Sequence, residues 1–124
     1  MDFDIVVIGA GPGGYIAAIR AEQLGFKVAC VDSFVRYGKY SLGGTCLNVG
    51  CIPSKALLDT TEHYHNAHAN FKEHGILIKD LKPDLAQMIK RKDGVVSQTV
   101  AGIDFLMKKN KIDVLRGHGT FTSK

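Results

Sequence analysis

Two cysteines stand five positions apart in the run Gly43-Gly44-Thr45-Cys46-Leu47-Asn48-Val49-Gly50-Cys51-Ile52-Pro53-Ser54-Lys55. Thiols this close can be inert core residues, part of a metal site, or a redox-active disulfide. On an ideal helix, positions i and i+5 have Cα atoms about 8.7 Å apart, whereas a disulfide wants less than about 7 Å. A Cys46–Cys51 bond therefore requires a distorted segment between the two residues. Asn48 and Gly50 are residue types that tolerate such distortion, and Pro53 suits the first turn of the helix beyond. A bond across a short irregular loop is apt to be reducible rather than structural. No second Cys/His pair lies nearby at zinc spacing, so no metal ligands are assigned. Lys55 follows Cys51 by one helical turn, where a cation could stabilise a thiolate or an anionic reduced ring. Cys30 lies inside an apolar run and reads as an inert core residue.

The elements that must carry these residues begin with a second motif. Gly9-Ala10-Gly11-Pro12-Gly13-Gly14 fits G-x-G-x-x-G through Gly9, Gly11 and Gly14. The pattern alone is weak, but here an apolar strand precedes it and a helix follows. Gly9 permits the tight turn, Gly11 lets a pyrophosphate approach the backbone, and Gly14 lets helix and strand pack closely. The helix N-terminus offers unpaired N–H groups and a positive dipole end to phosphates. Asp32 ends the next strand, 23 positions after Gly9, where a carboxylate can accept hydrogen bonds from both ribose hydroxyls. The coupling of this dinucleotide turn to a cysteine pair in one short chain favours the redox disulfide over the other two readings.

Residues 4–9 read as a buried parallel strand, residues 13–24 as a helix stopped by Gly25, and residues 27–31 as a second buried strand. Together they make one βαβ unit. Residues 33–44 lack a period and read as loop. A helix is expected over about residues 53–74, ended by Gly75. Another is expected over residues 84–110, opened by the capping box Asp84-Leu85-Ala86-Gln87. Its apolar positions Leu85, Met88, Ile89, Val96, Val100, Ile103, Leu106 and Met107 follow the 3.6 period and define one buried stripe. Gly94 and Gly102 inside it imply a bend or a close neighbour. Residues 112–115 and 119–122 read as further strands. The fold class is thus α/β, a Rossmann-like dinucleotide-binding domain with an inserted helical pair.

The whole chain is 124 residues with a formal net charge of +4, the size of one domain or of part of a larger one. It is 45% hydrophobic and 23% charged, which argues against disorder. No apolar run approaches the roughly 18 residues of a membrane span, and no secretion signal precedes the first strand. A cytoplasmic location is expected. The basic residues are offset by acids and are not interleaved with aromatics, so neither nucleic acid nor membrane is an expected partner. His63, His65 and His68 read as exposed surface.

The run 43–55, continued by Ala56-Leu57-Leu58, resembles the pyridine nucleotide–disulfide oxidoreductases. Leu47-Asn48-Val49-Gly50-Cys51-Ile52-Pro53-Ser54-Lys55 is most similar to their dihydrolipoamide dehydrogenase branch; glutathione and mercuric reductases share much of it. Gly117-His118-Gly119-Thr120-Phe121 is similar to a family segment near the adenine. The resemblance implies tightly bound FAD, with Gly9, Gly11 and Gly14 at the pyrophosphate and Asp32 at the ribose. It places Gly44, Thr45 and Lys55 near the flavin and Gly119 near the adenine. Cys46 is implied as the interchange thiol and Cys51 as the thiol against the flavin. Electrons would run from dihydrolipoamide, carried on an acyltransferase of a 2-oxo-acid dehydrogenase complex, to the cysteine pair, to FAD and to NAD.

Two local departures stand out. The family's usual ribose-binding residue is glutamate, where this chain has Asp32, and the loop over residues 33–42 is longer than in many members. The larger departure is length. Family enzymes are several times longer, homodimeric, and carry a separate NAD domain and a catalytic His–Glu pair. Residues 1–124 are therefore expected to be the N-terminal part of the FAD-binding domain, with the NAD site elsewhere and no turnover on their own. A non-catalytic FAD-binding unit is the alternative of a different class.

Overall fold

The computed structural model describes residues 2–123. Strand β1 (Ile5–Ile8), helix α1 (Pro12–Gln23) and strand β2 (Val28–Asp32) form the expected βαβ unit. β1 pairs parallel to β2, with Ile5 opposite Val28 and Ile8 opposite Val31. Strand β5 (Asp113–Arg116) joins the other side of β2, also parallel, from Ala29 opposite Asp113 to Asp32 opposite Arg116. The sheet order β1-β2-β5 puts β2 in the centre, and its Val28, Ala29 and Cys30 are buried.

β1 is not the fully buried strand expected. Its side chains alternate, and Val6 and Ile8 are each 51% exposed. Ile5 and Val7 face the core, where Ala18 of α1 meets Ile103 and Met107 of a later helix. The opposite face of the sheet has little over it among the described residues; Gly119 lies near Ile8 and Val31 there.

Everything between β2 and β5 is one long insertion. The stretch expected to be loop contains a two-stranded hairpin, β3 (Val35–Arg36) and β4 (Lys39–Tyr40). Its two-residue turn, Tyr37-Gly38, has positive φ at both positions, the form that matches strand twist. Helix α2 (Gly44–Asn48) follows, then α3 (Cys51–Ala69). α3 starts two residues before Pro53, because none of the first helical N–H groups needs an intrahelical partner and a proline is tolerated there. It also ends sooner than expected. A 3₁₀ turn over Phe71–His74 takes over, and Gly75 closes that turn rather than the helix.

Helix α4 (Leu85–Lys109) is capped by the Asp84 side chain, which accepts from the Gln87 N–H at 3.0 Å. It runs unbroken through Gly94 and Gly102, and a side chain at either would meet nothing within 4 Å. Of the expected stripe, Val96, Ile103 and Met107 are buried, whereas Leu85, Ile89 and Leu106 are exposed. The N-terminal half of α4 leans on α3 through Arg91, which donates to the Ala56 carbonyl, Thr60 Oγ1 and Asp59. Residues 119–122 are not a strand, since no ladder partner lies beside them among the described residues. Among the described residues no helix is long and apolar enough to cross a membrane.

Candidate functional site

β1 delivers the chain into the glycine turn, and the Gly9 N–H donates to the Val31 carbonyl at 2.7 Å. Gly14 has to be glycine, because a Cβ there would overlap the Gly9 carbonyl oxygen. Gly11 opens α1 with no side-chain cap, and a Cβ on it would meet nothing within 4 Å. Its side of the turn is open, and the first N–H groups of α1 and the positive helix end remain available to an anion.

Asp32 sits at the end of β2 and already works on the protein itself. Its Oδ2 accepts from the Ala10 N–H and its Oδ1 from the Phe34 N–H at 2.6 Å. A carboxylate has about four lone-pair sites, so acceptor capacity remains for hydroxyl donors. The shorter acid is therefore held rigidly by the two turns it joins.

The cysteine segment is broken between the two thiols, as a short bridge demands. Cys46 lies in α2 and Cys51 is the first residue of α3. Between them the Val49 and Gly50 N–H groups both donate to the Thr45 carbonyl, at 3.0 and 2.8 Å. Both cysteines are thiols; Cys51 is exposed and Cys46 half-buried. Hydrogen bonding with the Cys51 side chain holds the Cys46 thiol above its ordinary pKa, reinforced by desolvation, while the Lys55 charge pulls the other way. Cys30 is a core residue, its pKa pushed up to about 11 by burial and then by the Asp32 charge.

The two motifs are physically joined. The Gly43 N–H donates to the Ala10 carbonyl at 2.8 Å. Gly44, at φ 58°, lies so close to the glycine turn that a Cβ on it would come within 2.9 Å of the Gly11 Cα. Together they line one cleft of about 380 Å³, with Gly9, Gly11, Asp32, Gly44, Thr45 and Gly119 on its walls. Gly14 lies beneath the turn, and Cys46, Cys51 and Lys55 are outside the cleft wall. A larger hollow of about 420 Å³ between the hairpin and α4 touches none of these residues.

Sequence patterns did not point to Ser33 and Phe34, which also line the cleft, as does His118 of the 117–121 segment. The only signal for the first two was their place directly after the acid that ends β2. Asn48 was noted only as tolerant of distortion, yet it is buried and fully hydrogen-bonded. Among the described residues no three His, Cys, Asp or Glu side chains are grouped to hold a metal. His63, His65 and His68 are exposed on α3, with His63 Nε2 3.7 Å from Asp59.

The chain is similar to known proteins over nearly its whole length. The chain is 54% identical to a dihydrolipoyl dehydrogenase of Cupriavidus necator over 98% of its own length and 26% of that protein's. It is 51% identical to the mitochondrial dihydrolipoyl dehydrogenase of Pisum sativum over 97% of its length and 23% of the relative's. A leghemoglobin reductase of Vigna unguiculata is 52% identical over 97% of the chain and 22% of its own length. The chain thus spans about a quarter of the length of the curated relatives it matches. The family model for pyridine nucleotide-disulphide oxidoreductases matches residues 3–124, and the chain belongs to that family.

Proposed function

We propose that these residues are the FAD-binding and redox-disulfide part of a dihydrolipoyl dehydrogenase. The observation that supports the reading is the contact of Gly43 and Gly44 with Ala10 and Gly11, which holds the cysteine segment next to the glycine-turn cleft. Gly9, Gly11 and the first turn of α1 would hold the FAD pyrophosphate. Asp32 would accept from the ribose hydroxyls, Gly119 would lie at the adenine end, and Gly44 and Thr45 would lead towards the flavin. Bound there, FAD would supply a two-electron acceptor between the dithiol and NAD.

The chain's own residues perform the thiol chemistry. In the disulfide form, a thiolate of dihydrolipoamide attacks the Cys46 sulfur, the Cys46–Cys51 bond breaks, and Cys51 leaves as thiolate. The second substrate thiolate then attacks the substrate sulfur bound to Cys46 and releases Cys46. Two protons and two electrons have left the substrate, and the pair is a dithiol. Lys55 stabilises negative charge at the pair, in line with its effect on Cys46. The substrate would be a lipoyl group carried by the acyltransferase of a 2-oxo-acid dehydrogenase complex, and the working enzyme a homodimer. Cytoplasm is the proposed location; the pea relative is mitochondrial, and both compartments keep thiols reduced.

The test uses the exposure of the two thiols. In the reduced chain without FAD, limiting iodoacetamide should label exposed Cys51 before Cys46, read by peptide mass spectrometry. Added FAD should bind in equilibrium dialysis and reverse that order, because Cys51 becomes the thiol against the flavin. Absence of FAD binding, or an unchanged labelling order in the FAD-loaded chain, would overturn the assignment.

A further inference from the structure

Asn48 is the buried polar side chain of the described core, only 2% exposed. It is the last residue of α2 and stands between the two cysteines. Its Nδ2 donates to the Leu42 carbonyl at 3.0 Å and to the Gly44 carbonyl at 2.9 Å. Its Oδ1 accepts from Ser41 Oγ at 2.6 Å. An amide is costly to bury unless paired, and this one has a partner for every donor and one for its acceptor. Such a fully satisfied network selects one geometry over its neighbours.

The three partners show which geometry is selected. Ser41, Leu42 and Gly44 lie on the approach to α2, upstream of Cys46. The amide reaches back from the end of α2 and ties that approach down. Gly43, between two of the partners, is the residue bonded to Ala10. On the far side the Gly50 N–H is held by the Thr45 carbonyl, and Cys51 follows at once. Leu47, next to Asn48, is buried against the core, so the end of α2 has no freedom to swing.

We propose that Asn48 is the positioning residue of the dithiol: its three side-chain hydrogen bonds, the two from Nδ2 foremost, hold the α2 turn in the one shape that sets the Cys46 and Cys51 sulfurs face to face. The proposal deepens the function proposed above and rests on its reading of the pair as redox-active. Asn48 lies outside the wall of the glycine-turn cleft and acts through the backbone of residues 42–44.

Two measurements on the 124-residue chain test it. The first is equilibration with glutathione. Oxidised glutathione converts the two thiols to the Cys46–Cys51 bond and leaves as two reduced glutathione molecules, which carry the two protons and two electrons. The second is binding of phenylarsine oxide, which needs both sulfurs at one arsenic atom and no oxidation. Asn48→Ala should weaken both by about tenfold, the scale of two lost hydrogen bonds, or about 30 mV for a two-electron couple. Asn48→Asp keeps the size but loses both donors and should match it. Ser41→Ala keeps both donors and should cost only about two- to threefold.

A role confined to fold stability would lower the unfolding midpoint and leave both constants unchanged in the folded variants. That result overturns the proposal. If the wild-type chain binds the arsenical but does not oxidise, the redox reading falls, and the arsenical ratio still decides the role of Asn48. If neither Asn48 variant folds, Ser41→Ala decides: a two- to threefold loss supports the proposal and no loss overturns it.

Discussion

The turn after β1 and the cysteine segment touch at Gly43, yet they are fixed by different means. The first is shaped mainly by backbone. Glycine stands where a side chain would strike the neighbouring carbonyl, and the helix start is left without a cap. The second is shaped by a side chain, since the Asn48 amide gathers the carbonyls and hydroxyl around it. A backbone-shaped turn leaves its N–H groups open to a ligand. A side-chain-shaped turn spends its polar groups internally and leaves only sulfur to react.

The sharpest way to break this contrast is at Gly14. Gly14→Ala should destabilise the chain by about 3 kcal/mol or more, as overpacking against backbone does, measured by urea unfolding. Gly13→Ala, whose Cβ would meet nothing within 4 Å, should leave stability unchanged or raise it by up to about 1 kcal/mol. Equal effects from the two would show that the turn is not fixed by that close approach.

Asp32 is the side chain that qualifies the contrast. Asp32→Ala removes the acceptor of the buried Ala10 N–H as well as that of Phe34. It should lower stability without FAD by about 1–3 kcal/mol and weaken FAD binding further, while leaving the glutathione equilibrium of the cysteines unchanged. Loss of FAD affinity with full stability would return Asp32 to a ligand-only role.

The smallest effect is expected at the hairpin, held to α4 by partly covered charges. Asp93 bonds Arg36 and, at 2.7 Å, Lys92. The Lys92 hydrogen bond, with the Lys92 and Arg36 charges, lowers its pKa below the ordinary carboxylate value. Its contribution is therefore fully present above the unfolded-state pKa and fades as pH falls through the lower folded-state value. Asp93→Asn should cost less than about 1 kcal/mol near neutral pH and make no difference in strong acid. A pH-independent difference between the two unfolding curves would locate the effect elsewhere.

What could be read in the sequence follows the same division. The βαβ unit, the helix stop at Gly25 and the cap at Asp84 are local, each set by residues a few positions apart. The break between Cys46 and Cys51 was legible because helix geometry forbids a short bridge without one. The half-exposed β1 and the missing strand over 119–122 were not legible, because burial and pairing depend on what lies across the sheet. The hairpin was hidden because Tyr37 adopts a positive φ that its type does not advertise. The paired state of Asn48 needed three partners that only the folded turn brings together.

The burial of Cys30 in the central strand has a consequence for how the chain oxidises. Three cysteines allow three single pairings in an open chain. Once β2 is flanked by β1 and β5, Cys30 is fully covered and its thiol is kept protonated by its surroundings. Two of the three pairings are then removed, and the one left joins Cys46 to Cys51. The sheet thus acts as a proofreader. Oxidant that arrives after folding can make only the Cys46–Cys51 bond, whereas oxidant that arrives earlier meets three nearly equivalent thiols and can trap the chain in either loop through Cys30.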